Sequence, residues 1–300
     1  MSFPLPVVAR DLVVRRGRRS VLQGADVFVR AGEIVALGGS NGAGKSTLLQ
    51  ALLGLLRASG TARVMGRDAL REGAALRAEV GWVPDELALP RWMRVRDALA
   101  LHRALHPHWD AAEERRLLRL VELDPKQRVR ALSRGQAKRL SIVLALAHRP
   151  GLVLLDEPFN GLDPTARRQV LAALLEGLRA DGASALFASH ALEEVRRIAD
   201  RVLVLEAGRV HDLGAIEDGR DHHARVEVVL HEPKRPWLPP GNPTMERTSD
   251  GWVLAYFQWR DGYERMLVRD GRVRSMRHLP TDVATWIEAG QAEARREVAA

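Results

Sequence analysis

Short, wholly apolar runs recur along this chain with helix-period segments after each of them: EIVALG precedes STLLQALLGLL, GLVLLD precedes TARRQVLAALLEGLRA, and SALFAS precedes ALEEVRRIAD. A strand that is apolar at every position has no face for water, so it belongs inside a parallel sheet covered by helices on both sides. The fold class is therefore α/β. Sites in such sheets lie beyond the C-terminal ends of the strands.

From about residue 86 to residue 150 the segments RVRDALALHRAL, DAAEERRLLRLVEL and RGQAKRLSIVLALAH read as helices with no apolar strand between them, which predicts a helical insertion. Leu230 to Thr244 holds five prolines, which stop helices and central strands alike, and we place a division near here, residues 1–222 against 223–300. Beyond it, WVLAYFQWRDGYERMLVRDGRV alternates with period two around Asp-Gly turns, which predicts a small antiparallel sheet followed by a closing helix near TDVATWIEAGQAEARREV. Trp237, Trp252, Trp259, Trp286, Tyr256 and Tyr263 supply this tail with an aromatic core. A packing appendage that assists dimerisation and a ligand-sensing module both fit such a tail.

The chain has no cysteine, which excludes disulfide frameworks, zinc-thiolate sites and thiol nucleophiles. The start MSFPLPVVARDL lacks a signal-peptide pattern, and no run approaches the roughly 20 apolar residues of a membrane helix. Net charge is +8, with 46 basic residues of which only Lys45, Lys126, Lys138 and Lys234 are lysines. The arginines alternate with acids, as in AAEERRLLRL, so solvated helix faces account for the charge and no nucleic-acid partner is expected.

Gly39-Ser40-Asn41-Gly42-Ala43-Gly44-Lys45-Ser46, followed by Thr47, matches G-x-x-x-x-G-K-[ST], directly after an apolar run and at the start of a helical one. Chance would place this pattern in a chain of this composition about two times in a thousand. The glycines let successive N–H groups face phosphate oxygens, Lys45 adds a point charge, and Ser46 offers a hydroxyl to magnesium. The run Leu152–Leu155 ends in Asp156 and Glu157, which suit a metal-holding carboxylate and a group that orients water. A helix cap would use the same acids. His190 ends another apolar run and could reach a terminal phosphate, or could simply cap the strand.

Leu132-Ser133-Arg134-Gly135-Gln136 resembles the LSGGQ signature of ABC-type ATPases, and it lies between the phosphate loop and Asp156-Glu157-Pro158 in the family's order. Asn160-Gly161-Leu162-Asp163 resembles its D-loop and His190 its switch histidine, so the resemblance covers roughly residues 7–215. It implies a P-loop NTPase sheet of ABC ATPase type with a helical insertion, to which the tail adds a small C-terminal α+β accessory region. It also implies ATP and Mg2+ as ligands. Ser133, Arg134, Gly135 and Gln136 would act in trans within a homodimer, or a heterodimer with a second ABC ATPase subunit. Hydrolysis would energise transport through a transmembrane permease on a separate chain, at the cytoplasmic face of the membrane. The other reading, a soluble ABC-type ATPase acting on nucleic acid or ribosomes, calls for tandem phosphate loops or a long heptad arm, and the chain has neither.

Three positions depart from the family pattern. Arg16 stands where an aromatic residue commonly stacks on adenine, and its guanidinium plane can stack on a purine. Asp85, in Gly81-Trp82-Val83-Pro84-Asp85-Glu86, stands where the family places a glutamine, and would approach magnesium with an added negative charge. Arg134 replaces the first signature glycine, a variant resembling bacterial exporter components, which implies export. Two weaker expectations concern the insertion: His102 and His106, one helical turn apart, read as an exposed helix face, and Trp92 and Met93 read as core or as contacts to a membrane subunit.

Overall fold

The computed structural model describes residues 5–180, 182–189, 197–232 and 237–299. The chain opens with β1 (Val7–Arg16), β2 (Arg19–Val29) and β3 (Ile34–Gly38), then α1 (Lys45–Leu52), β4 (Ser59–Val64), β5 (Arg67–Asp68), the short α2 (Gly73–Arg77) and β6 (Gly81–Val83). The helical insertion follows as α3 (Val95–Leu105), α4 (Ala111–Leu120) and α5 (Arg134–Leu146). The chain then returns through β7 (Leu152–Asp156), α6 (Pro164–Ala180), β8 (Ser184–Ala188), β9 (Arg201–Glu206), β10 (Arg209–Ala215) and α7 (Ile216–His222). The tail comprises β11 (Ala224–Leu230), β12 (Thr244–Arg247), β13 (Gly251–Tyr256), α8 (Asp261–Arg269), β14 (Val273–Leu279) and α9 (Val283–Ala299).

The central sheet has the order β10-β9-β3-β8-β7-β6 and is parallel except at β10, which folds back antiparallel on β9. The apolar runs form its middle, and period-two alternation sends their side chains into two separate cores. Ile34, Ala36, Val153, Leu155, Ala185 and Phe187 enter the core shared with the helical insertion and α6. Val35, Leu37, Leu152, Leu154, Leu186 and Ala188 enter the core shared with α1 and the antiparallel sheet β2-β1-β4-β5. Full burial of each larger side chain contributes about 1.5–3 kcal/mol, so the strands are held from both faces.

The same parity decides where the acids emerge. Asp156 shares a face with Leu152 and Leu154, which is the α1 side. Glu157 follows at φ 45°, a left-handed conformation that costs a non-glycine residue about 1 kcal/mol or more, and its N–H donates to Ala188 O at 2.9 Å.

A buried ion cluster ties the sheet together below the site. Arg201, 4% exposed, pairs with Glu33 at 2.8 Å and Asp212 at 2.7 Å and donates a further bond to Phe28 O at 2.5 Å. Burial works against the charge of Glu33, but the Arg201 guanidinium and the Arg30 N–H hold its carboxyl below the usual range.

The tail forms an antiparallel sheet of order β12-β13-β11-β14. It differs from the sequence expectation in one segment. Asp261–Arg269 is a helix, because its apolar side places Tyr263 and Leu267 on the sheet's buried face beside Val226, Val228 and Leu254. Asp270 and Gly271 do form a turn into β14. The closing helix α9 leaves the tail's own core and packs on the main body: Val283, Trp286, Ile287 and Ala294 join the core of the helical insertion. Of the segment ALEEVRRIAD, residues 191–196 lie outside the described residues, and Arg197 and Ile198 are helical.

Candidate functional site

The loop between β3 and α1 is built for close approach. A Cβ at Gly39, where φ is 137°, would fall 2.4 Å from Leu205 O, and Gly44, with φ 112°, is the residue that opens α1. Only glycine adopts these angles without strain. Lys45 is 7% exposed, and its Nζ donates to Gly39 O at 2.9 Å and to Ser40 O at 3.2 Å, closing the loop on itself. A triphosphate oxygen would take over these bonds. Glu157 Oε1 lies 3.9 Å from the same ammonium.

These groups face a cavity of about 630 Å³ lined by Arg16, Arg19, Val21, Asn41, Gly42, Gly44, Lys45, Ser46, Thr47, Asp85, Glu157 and Asn160. It lies at the C-terminal ends of β3 and β7, where an α/β sheet leaves room for a ligand. The structure thus brings most of the expected phosphate loop together with Asp85, Glu157 and Arg16. Arg16 is exposed at the rim, with a bond to Gln50 Oε1 at 3.2 Å.

Asp156 is 4% exposed, and its Oδ1 has no hydrogen-bond partner among the described residues, while the carboxylate accepts a bond from the Ser46 hydroxyl. Burial pushes its carboxyl up, and the nearby Asp85 and Glu157 charges add to the rise against that bond and Lys138. An orphaned buried carboxylate oxygen beside a serine hydroxyl is a donor set of hard oxygens, which suits Mg2+. Asp85 accepts from Asn160 Nδ2 at 3.4 Å. His190 lies outside the described residues; Ser189 before it donates its N–H to Leu37 O at 3.3 Å.

The signature segment lies apart from this cavity. Ser133 caps α5, its Oγ accepting from Gln136 N at 3.2 Å while Gln136 Oε1 accepts from Ser133 N at 3.0 Å, a reciprocal capping box. Gly135 is buried against Ala166. Arg134 is exposed and lies across Gly161. Asp163 caps α6 by accepting from Thr165 N and Ala166 N, both at 2.9 Å.

Lys138 escaped the sequence reading. It is 4% exposed on α5, and its Nζ donates to Pro84 O and Asp85 O, both at 2.8 Å. The available signal was a lysine on the buried face of a helix in a chain that otherwise uses arginine.

Two expectations for the insertion are corrected. His106 is buried, and its ring stacks at 4.0 Å on His148, because α3 packs against α5 there. Among the described residues no group of three or more His, Asp or Glu could hold a metal. Trp92 is 70% exposed and so contributes little to the core.

The family model described as ABC transporter matches residues 22–160. The chain is 36% identical over 228 residues to a sulfate/thiosulfate import ATP-binding protein of Bradyrhizobium diazoefficiens, covering 71% of this chain and 65% of that one. It is 37% identical over 209 residues to an aliphatic sulfonates import ATP-binding protein of Pseudomonas aeruginosa, covering 69% of this chain and 74% of the other. The chain thus spans about two thirds to three quarters of the length of these relatives. A solved structure described as the ATP binding subunit of an ABC transporter superposes with a TM-score of 0.65 at 30% identity, covering 72% of this chain and 92% of that one. With the phosphate loop, the paired carboxylates and the capped signature helix on one α/β framework, this chain belongs to the ABC transporter family of ATP-binding domains.

Proposed function

We propose that this chain binds and hydrolyses Mg-ATP as the energising subunit of a transporter. The observation that carries the reading is the convergence of Lys45, Ser46 and the strained Glu157 on one cavity, with the orphaned Asp156 bonded to Ser46. Residues Gly39–Thr47 hold the phosphates, and Arg16 stacks on the base. Ser46 and Asp156 would hold Mg2+, with Asp85 nearby, and the ion would supply charge neutralisation to the phosphates. Glu157 accepts a hydrogen bond from the attacking water and sets its line of approach, and His190 steadies the terminal phosphate.

Ser133, Arg134, Gly135 and Gln136 complete the site of a second ABC ATPase subunit, identical or related. The N–H groups at the start of α5 carry the helix's positive end toward that phosphate. Asp163 stands at the same seam. Loss of the phosphate removes the differential contact and opens the dimer, which drives a permease on a separate chain at the cytoplasmic membrane face. Residues 1–222 do this work and residues 223–300 form the accessory region. Both relatives are named for import, against the export that Arg134 had suggested. Arg134 packs on Gly161, and we assign direction and cargo to the membrane subunit.

The test is Glu157→Gln. ATP binding should persist, turnover should fall about 10²–10⁴-fold, and an ATP-bound dimer should accumulate on size exclusion. Near-normal turnover would remove Glu157 from its role, and a variant that stays monomeric in saturating Mg-ATP would sink the dimer.

A further inference from the structure

We propose that Lys138 is a positioning residue that balances the added charge of Asp85 and ties the signature helix to the nucleotide cavity of its own chain. This rests on the Mg-ATP reading above.

The geometry is specific. The Lys138 side chain is 3% exposed, and its ammonium makes two bonds to consecutive carbonyls, Pro84 O and Asp85 O at 2.8 Å each, while Asp85 Oδ1 lies 3.9 Å away. An ammonium has three donors on one compact centre. Glutamine has two donors in a plane, and arginine's wider fork needs a planar acceptor, so neither serves two carbonyls and a carboxylate from one point. This chain has four lysines among 46 basic residues, and one of them stands here.

Charge supplies the second argument. Asp85 and Glu157 line the cavity, and Asp156 stands beside them, bonded to Ser46. A glutamine at 85 would bring no charge. With aspartate there, a buried cation at 138 returns the cluster to the balance it would have with glutamine.

The mechanical argument follows from position. Lys138 lies five residues after Ser133 on α5, about 7–8 Å along the helix axis. A helix moves as a unit over that distance. A shift of the Pro84–Asp85 backbone on nucleotide binding therefore reaches the helix start offered to the second site. Asn160, bonded to Asp85, extends the same chain of contacts to the segment after Glu157.

The experiment is a double-variant cycle on the full chain with Lys138→Gln, Asp85→Gln and both together, measuring kcat and KM for Mg-ATP and the affinity for trinitrophenyl-ATP. Lys138→Gln should lower kcat about tenfold with affinity kept within about threefold, because the ammonium acts on the placement of the Pro84–Asp85 backbone and not on nucleotide binding itself. Asp85→Gln alone should also lower kcat with affinity kept, since it leaves the buried ammonium without its carboxylate. The double variant should return kcat toward wild type. A residue that only supports the fold would lose affinity and kcat together and would show no such recovery. Should Lys138→Gln fail to fold, Asp85→Gln still decides, and an unchanged kcat there overturns the proposal. Additive losses in the double variant, or affinity falling in step with kcat, overturn the proposal as well. An inactive wild-type chain that also fails to bind the nucleotide overturns the Mg-ATP reading and this proposal with it, whereas an active wild type with additive losses overturns this proposal alone.

Discussion

Arg134 lies across Gly161 so closely that a Cβ built on the glycine would come within 2.7 Å of the arginine Cδ and 2.9 Å of its Nη1. The signature segment and the loop after Glu157 are thereby one surface. Gly161 also has φ 68°, which penalises a side chain independently. Gly161→Ala should lower unfolding stability by about 1–2 kcal/mol in urea titrations. Arg134→Ala should relieve the steric part of that cost, so the double variant should lose less than the sum of the two. Strict additivity would show that the two residues do not touch in solution.

Lys45 holds the loop closed through Gly39 O and Ser40 O. Lys45→Ala removes both those bonds and the point charge facing the phosphates. Titration calorimetry should show nucleotide affinity reduced at least about tenfold, roughly 1.4 kcal/mol or more. Unchanged affinity would contradict the phosphate assignment.

The imidazoles of the insertion make stability depend on pH. Burial, reinforced by neighbouring imidazoles, pushes His148 down to about 3 and His102 to about 4, both below the ordinary value of 6.5. The unfolded chain therefore binds more protons than the folded one between about pH 6.5 and the folded values, and stability rises with pH across that window. Lowering the pH from 7 to 5 should cost about 1–2 kcal/mol through His148. In His148→Phe the difference between urea midpoints at pH 7 and pH 5 should shrink. An equal difference in the two proteins would refute the assignment.

Arg201 is the hub of a buried ion cluster with Glu33 and Asp212. Removing Arg201 leaves the Glu33 carboxylate, 9% exposed, without its cation, while Asp212 at the cluster's outer end stays in contact with water. Arg201→Ala should cost about 3–5 kcal/mol, read from chemical denaturation. Glu33→Gln keeps a hydrogen-bond acceptor and should cost less. As Glu33 is held below its ordinary range, its share of the stability is present above about pH 4.5 and lost as acid titrates the folded carboxyl. A loss under 1 kcal/mol for Arg201→Ala would show that the cluster contributes nothing net.

Sequence alone determined the α/β class, the helical insertion, the phosphate loop, the paired acids and the capped signature, because each is written in local terms: an apolar run, a 3.6-residue period, or a fixed spacing of glycine, lysine and serine. Local reading failed where the deciding partner is distant in the chain. Asp261–Arg269 is a helix since its apolar side has a sheet face to cover, and Lys138 matters only when Asp85, 53 residues earlier, is folded against it. Arg134 has no legible role until Gly161 lies beneath it. Tertiary structure decided these because hydrogen bonds, ion pairs and excluded volume act over a few ångströms of space, and the chain order of a residue's spatial neighbours is set by topology.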